Sequence, residues 1–66
     1  MVQKVIEVVG ISKESFARAA GNAVAEAAKT VHGMKWARVV ELEMKLDGKK
    51  IAEYRAVTRI YFDVER

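Results

Sequence analysis

Few side chains in this sequence are equipped for chemistry, and their spacing decides what kind. Trp36 is the only tryptophan. It stands just beyond Gly33, where one element ends and the next begins, with Arg38 two positions further on. Position alone assigns Trp36 first to core packing. An aromatic at an element's end also suits stacking of a flat ligand, because it presents a large rigid face at little entropic cost. Arg38, and the pair Arg55 and Arg59 four apart on one face of a later strand, would suit an anionic aromatic ligand such as a nucleotide, since guanidinium groups match phosphate and carboxylate geometry. Glu41 and Glu43, also two apart, read as a solvated face balanced by Lys45, or as a weak carboxylate pair for a hard cation such as Mg²⁺ or Ca²⁺.

The remaining candidates have structural explanations. Ser12, Ser15 and Thr30 fall at the ends of a helical stretch or on it, where hydroxyls cap backbone N–H groups. His32 precedes a glycine and reads as a cation-capable residue favoured by the C-terminal end of the helix dipole. No glycine-rich phosphate loop, metal-ligand spacing or nucleophile with a partnered base is present in the sequence. The motif search therefore predicts a binding protein and not an enzyme.

Three kinds of element must position these residues. Val2–Val9 has apolar residues on both parities, which predicts a strand touched on both faces, stopped by Gly10-Ile11-Ser12. Ser12 is then the expected N-cap of a helix running from about Lys13 to His32, with Gly33 at its left-handed C-terminal position. Phe16, Ala20, Ala23, Val24, Ala27 and Val31 make its apolar stripe. Seven alanines between Ala17 and Ala28 keep that stripe shallow, so each residue contributes little buried area. Beyond Gly33 the even positions Trp36, Arg38, Val40, Leu42, Met44 and Leu46 alternate with Ala37, Val39, Glu41, Glu43 and Lys45. Asp47-Gly48 signals a turn. A third strand then places Ala52, Tyr54, Ala56, Thr58, Ile60, Phe62 and Val64 on one face, with Glu53, Arg55, Val57, Arg59, Tyr61, Asp63 and Glu65 on the other. The fold class is α+β: a β-α-β-β protomer with a three-stranded antiparallel sheet packed on one helix. Strands of a dozen residues reach roughly 40 Å, longer than the helix that covers them, so the hairpin overhangs.

Size and composition point the same way. At 66 residues the chain makes one domain, spanning 1–66. It buries only about 60% of its unfolded surface and is marginal alone. With no cysteine and one histidine, disulfides, thiolate zinc sites and an imidazole-rich metal site within one chain are excluded. Oligomerisation is left as the expected source of stability, and it would cover the overhanging hairpin. No apolar run approaches the roughly 18–20 residues that span a bilayer, and Glu7 interrupts any hydrophobic leader in the opening residues. These features predict a cytoplasmic protein with no membrane partner. The net charge of +3 is a small excess, and lysine and arginine alternate with glutamate, which argues against a nucleic-acid partner.

The chain as a whole resembles the dodecin family, small flavin-binding proteins. The resemblance is carried by the opening strand, Gly10-x-Ser12, Ser15-Phe16, Lys29-Thr30-Val31, Trp36-Ala37-Arg38-Val39-Val40-Glu41 and the closing strand with Tyr54, Phe62 and Val64. It implies β-α-β-β protomers assembled into a hollow homododecamer of cubic symmetry. It further implies riboflavin, FMN or their breakdown products bound at subunit interfaces, and a role in flavin storage and sequestration without turnover. By the same resemblance Trp36 stacks on the isoalloxazine ring and quenches the excited flavin by electron transfer. The family's second contact is a glutamine just after the tyrosine matching Tyr54, and that position is Arg55 here. A glutamine amide both donates and accepts, complementing the N3–H and carbonyls of the flavin pyrimidine edge, whereas arginine only donates. The expectation is weaker or altered flavin recognition through Trp36, Arg55 and Arg38, shifted towards a phosphorylated ligand. The alternative is a dodecin-like shell whose cargo is coenzyme A or a divalent cation, the latter held by a carboxylate near Glu41. A small basic RNA-binding module is the reading of last resort, because its sheet would need aromatics interleaved with basic residues on an exposed face.

Overall fold

In a computed structural model, residues 1–64 are described; Glu65, expected to continue the third strand, lies outside them. The elements are β1 (Val2–Ser12), α1 (Phe16–Ala27), β2 (Met34–Asp47) and β3 (Lys50–Val64). They form one antiparallel sheet of order β1-β3-β2 with α1 on one face. The chain leaves β1 at one edge, crosses the sheet through α1, enters β2 at the other edge, and returns by a hairpin to fill the centre with β3. The hairpin is tight: Asp47 pairs with Lys50, and Gly48, at φ 62°, occupies the left-handed position that a two-residue turn needs at its first central residue.

Alternation on β3 sorts the two faces. Ala56, Thr58 and Ile60 are buried under α1, while Arg55 and Arg59 point to the opposite, open face. Directly paired residues share a face, so Ile6, Val8, Gly10 and Ser12 of β1 lie on the helix side, and Gln3, Val5, Glu7, Val9 and Ile11 on the open side. Gly10 does not stop β1. It is buried within the strand, and a Cβ there would stand 1.8 Å from the carbonyl oxygen of Ala19. That close approach explains the alanine content of α1: Ala19, Ala23 and Ala27, one every turn, are the helix's buried residues. Any larger side chain would hold the helix off the strand. With Ala56 and Ile60 they make up the buried apolar core among the described residues. Phe16 closes one end, edge-on to Tyr54 at 4.9 Å between ring centroids.

Both ends of the helix differ from expectation. Ser15, not Ser12, is the N-cap: its Oγ accepts from the N–H of Arg18 at 3.0 Å. The Ser12 hydroxyl accepts from the N–H of Glu14 at 2.9 Å, and so turns the chain before the helix begins. The helix ends at Ala27, five residues before His32, and tightens into a turn in which the N–H groups of Thr30 and Val31 both reach the carbonyl of Ala27. Consecutive β-branched residues there are poor helix formers. His32 is consequently an exposed loop residue rather than part of a last helical turn. Gly33, at φ 74°, redirects the chain into β2, and its carbonyl accepts from Asp63 N–H at 3.1 Å.

The largest difference lies in β2. Its pairing with β3 slips between Met34 and Trp36, between Val39 and Glu41, and between Lys45 and Leu46. The slip at Val40 is a β-bulge that reverses the parity of the strand. Before it, Ala37 and Val39 oppose Ile60 and Thr58 on the helix side; after it, Leu42 and Met44 oppose Ala56 and Tyr54 there. Trp36 and Arg38 therefore do not share a face with Leu42, Met44 and Leu46, as uninterrupted alternation predicts. The far end of the hairpin does overhang: Leu42 is 57% and Leu46 63% exposed, and the protomer is elongated, 51 × 19 × 13 Å.

Candidate ligand site on the open face of the sheet

Because of the bulge, Trp36 joins the open face on the β2 edge. It is 71% exposed, so within the protomer it is not a core residue. Register places it on a rung with Tyr61 and Val5. The next rung on one side is Arg38, Arg59 and Glu7; the next on the other side pairs Asp63 with Gln3. Gln3, Trp36, Ala37, Arg38 and Tyr61 line a surface depression of about 480 Å³.

The polar groups around it are already ordered. Arg59 Nε donates to Glu7 Oε2 at 3.1 Å, and this bond holds the guanidinium above its ordinary pKa. Arg38 has no such carboxylate among the described residues. Its guanidinium carbon lies 6.0 Å from the Tyr61 ring centroid, at the outer limit for a cation–π contact. Gln3 Nε2 donates to Asp63 Oδ1 at 2.8 Å. The surface thus offers an exposed indole and a phenol, a cation with open donors, and an amide.

Of the residues singled out in the sequence, Trp36 and Arg38 are brought together and Arg55 is not. Arg55 pairs across the sheet with Glu43, with Nε 3.9 Å from Glu43 Oε1. It lies six residues along β3 from Tyr61, roughly 20 Å at 3.3 Å per residue. It lines a separate depression with Ile11, Glu43, Met44, Lys45 and Glu53. For Arg55 to meet a ligand on Trp36, it must come from another copy of the chain. Glu41 is exposed on the same open face, opposite Val57. Among the described residues no three carboxylate, imidazole or thiol groups gather where they could hold a metal. Gln3 and Tyr61 are the additions that sequence reasoning missed as site residues. Only the β1–β3 register brings Gln3 to Trp36, and no local spacing signals that.

The sequence profile of the dodecin family matches residues 2–65. The chain belongs to the dodecin family. A relative, the calcium dodecin of Mycobacterium tuberculosis, is 36% identical over 61 residues, covering 92% of this chain and 86% of that one. The crystal structure of that calcium dodecin, described as a calcium-chelating immunodominant antigen with a novel calcium-binding site, matches with a TM-score of 0.84 at 34% identity, over 98% of this chain and 93% of its own. The tt0972 protein of Thermus thermophilus matches with a TM-score of 0.93 at 32% identity, over 98% and 96% of the two chains. The dodecin of Streptomyces davaonensis gives 0.92 at 28%, over the same shares. The dodecin protomer is thus a β-α-β-β unit with its sheet on one helix, as found here. Among the described residues, no helix of this dodecin is long and apolar enough to cross a membrane.

Proposed function

We propose that this chain assembles into a closed homododecameric shell that binds and sequesters a flavin, FMN or riboflavin, at interfaces between copies. The observation that carries the reading is the exposure of Trp36 on a surface lined by Arg38, Tyr61 and Gln3. A protomer with so small a core gains nothing from leaving an indole in water; a ring stacked between such faces from two copies would remove it from solvent and add π-contact. Arg55, far from Trp36 within one protomer, would enter the site from a neighbouring copy. The proposed role is binding rather than turnover. Titration of riboflavin and FMN with the assembled protein, followed by flavin fluorescence, tests it: saturable quenching is expected, and none in an intact assembly would overturn it.

A divalent cation is the second reading, favoured by the likeness to a protein named for calcium. Glu41 is the ligand it would use, repeated from several chains around a shared axis, since hard cations take six or more oxygens. Calorimetric titration with Ca²⁺, and with Mg²⁺, should show binding in the assembly that Glu41→Gln removes; unchanged binding in the variant would exclude Glu41. Coenzyme A, added as a competitor in the flavin titration, tests the remaining alternative cargo.

A further inference from the structure

His32 is the chain's single histidine and takes no part in the surface around Trp36. It borders a different depression, of about 320 Å³, with Lys4, Gly33, Phe62, Asp63 and Val64. Lys4 pairs directly with Phe62, and Phe62 shares the parity of the buried Ile60. The depression therefore opens on the helix side of the sheet, the face opposite Trp36. The helix stops short of it, at Ala27, which leaves the half-buried Phe62 and Val64 as an apolar floor. Lys4 borders that floor from β1, and His32 from the loop leading into β2. The loop is pinned in place, because the Gly33 carbonyl accepts from Asp63 N–H at 3.1 Å.

Both basic groups are left without a partner. A histidine or lysine beyond a helix ordinarily serves the last carbonyls. Here the chain's own N–H groups already do so. The Val24 carbonyl accepts from Ala28 at 2.9 Å, that of Glu26 from Lys29 at 3.2 Å, and that of Ala27 from Thr30 and Val31. Neither Lys4 nor His32 is hydrogen-bonded through its side chain or paired with a carboxylate among the described residues. The acidic groups on the adjoining elements are engaged elsewhere: Glu26 holds Lys29 Nζ at 2.8 Å, and Asp63 Oδ1 accepts from Gln3 at 2.8 Å on the open face.

We propose that this depression binds an organic carboxylate with an apolar body, its two oxygens shared between Lys4 Nζ and the His32 imidazolium and its body resting on Phe62 and Val64. Two separate donors match the two oxygens of a carboxylate, and both bonds are charge-assisted. The apolar floor favours a monoanion over a phosphate dianion, because a second charge brought out of water there finds no further donor. Binding is linked to protonation. The imidazolium donates from both nitrogens and carries charge, whereas neutral imidazole has one N–H and none. The charged groups on the elements around His32 are Lys4 of β1, Glu26 and Lys29 at the helix end, Lys35 of β2 and Asp63 of β3. Of these and His32, histidine is the residue type whose charge changes between about pH 5 and 8. Affinity for the carboxylate should therefore rise as the pH falls through that range.

Benzoate is the probe, with benzyl alcohol as its uncharged counterpart and inorganic phosphate as the competing anion. The assembled protein, isotopically labelled at the histidine ring carbon Cε1, gives a signal from His32 alone. Benzoate should shift that signal saturably and raise the pH midpoint of its titration. It should bind about two- to fivefold more tightly at about pH 6 than at about pH 8, and it keeps its own charge throughout, since carboxylic acids titrate near about pH 4. Benzyl alcohol and phosphate should leave the signal in place. In calorimetric titration, His32→Gln should abolish the pH dependence, and Lys4→Gln should weaken benzoate at both pH values. A His32 signal indifferent to benzoate, an equal response to benzyl alcohol or to phosphate, or an affinity that does not rise on acidification would each overturn the assignment. The signal is read without any substitution, so the test stands even if a variant fails to assemble, and it is independent of whether a flavin binds the opposite face.

Discussion

Trp36 and Arg55 separate the two ways a single side chain matters here. Trp36 is exposed in the protomer, so its removal should cost ligand and not fold. Trp36→Ala is expected to keep its elution volume and secondary structure while losing most flavin affinity, tenfold or more by the usual worth of an aromatic stack (about 1–3 kcal/mol). Affinity unchanged in fluorescence titration would remove indole stacking from the account. Arg55 offers only donors, so Arg55→Gln should strengthen riboflavin binding severalfold by adding an acceptor; a drop would show that arginine makes the better contact. That Trp36 and Arg38 share a face was legible from their parity. What the sequence did not disclose was that Arg38, standing in an otherwise apolar series with Leu42, Met44 and Leu46, marks a reversal of face. A charged residue in a buried register is the local sign of a bulge, and the adjacent Val39 and Val40 conceal it by being apolar on both parities.

Elements follow from simpler rules, and most were predictable: order, strand character, the hairpin turn at Gly48 and a helix rich in alanine all agree with the structure. The helix ends were misjudged because Ser12 and Ser15 are both competent caps, and only the run of β1 to Ser12 decides between them. Ser15→Ala should destabilise the fold by about 1 kcal/mol, read in chemical denaturation, with Ser12→Ala affecting the turn before the helix instead. Gly10 is the harder constraint. A methyl group at 1.8 Å from the Ala19 carbonyl oxygen cannot be accommodated by a rotamer change, since the obstacle is backbone. Gly10→Ala should therefore lift α1 from β1 and cost more than about 2 kcal/mol, or prevent folding; a fully stable variant would mean the helix has room to move. Deleting Val40 is the corresponding experiment for β2. It should turn Trp36 and Arg38 towards the helix and abolish ligand binding even where the strand still pairs.

For the molecule as a whole, the helix covers only part of a hairpin whose strands have 14 and 15 residues. Leu42, Met44, Leu46 and Ile51 are left exposed at its far end. This is the surface on which the proposed assembly depends. Leu42→Glu, which leaves the protomer's own core untouched, is expected to elute as a monomer or small oligomer in size exclusion and to bind flavin no better than the Trp36→Ala variant. An intact dodecamer would place the contacts elsewhere. The order of the sheet has a further effect, in time rather than space. Val2 pairs with Val64 and Ser12 with Tyr54, so among the described residues β1 pairs with the strand that follows it at the greatest distance along the chain. β2 and β3 can close locally around Gly48, but β1, with Val5, Val9 and Ile11 exposed even in the folded protomer, must wait for them. Long-range pairing of this kind is slow to form. Until β3 has been made, the apolar residues of β1 have no strand to pair with among the described residues.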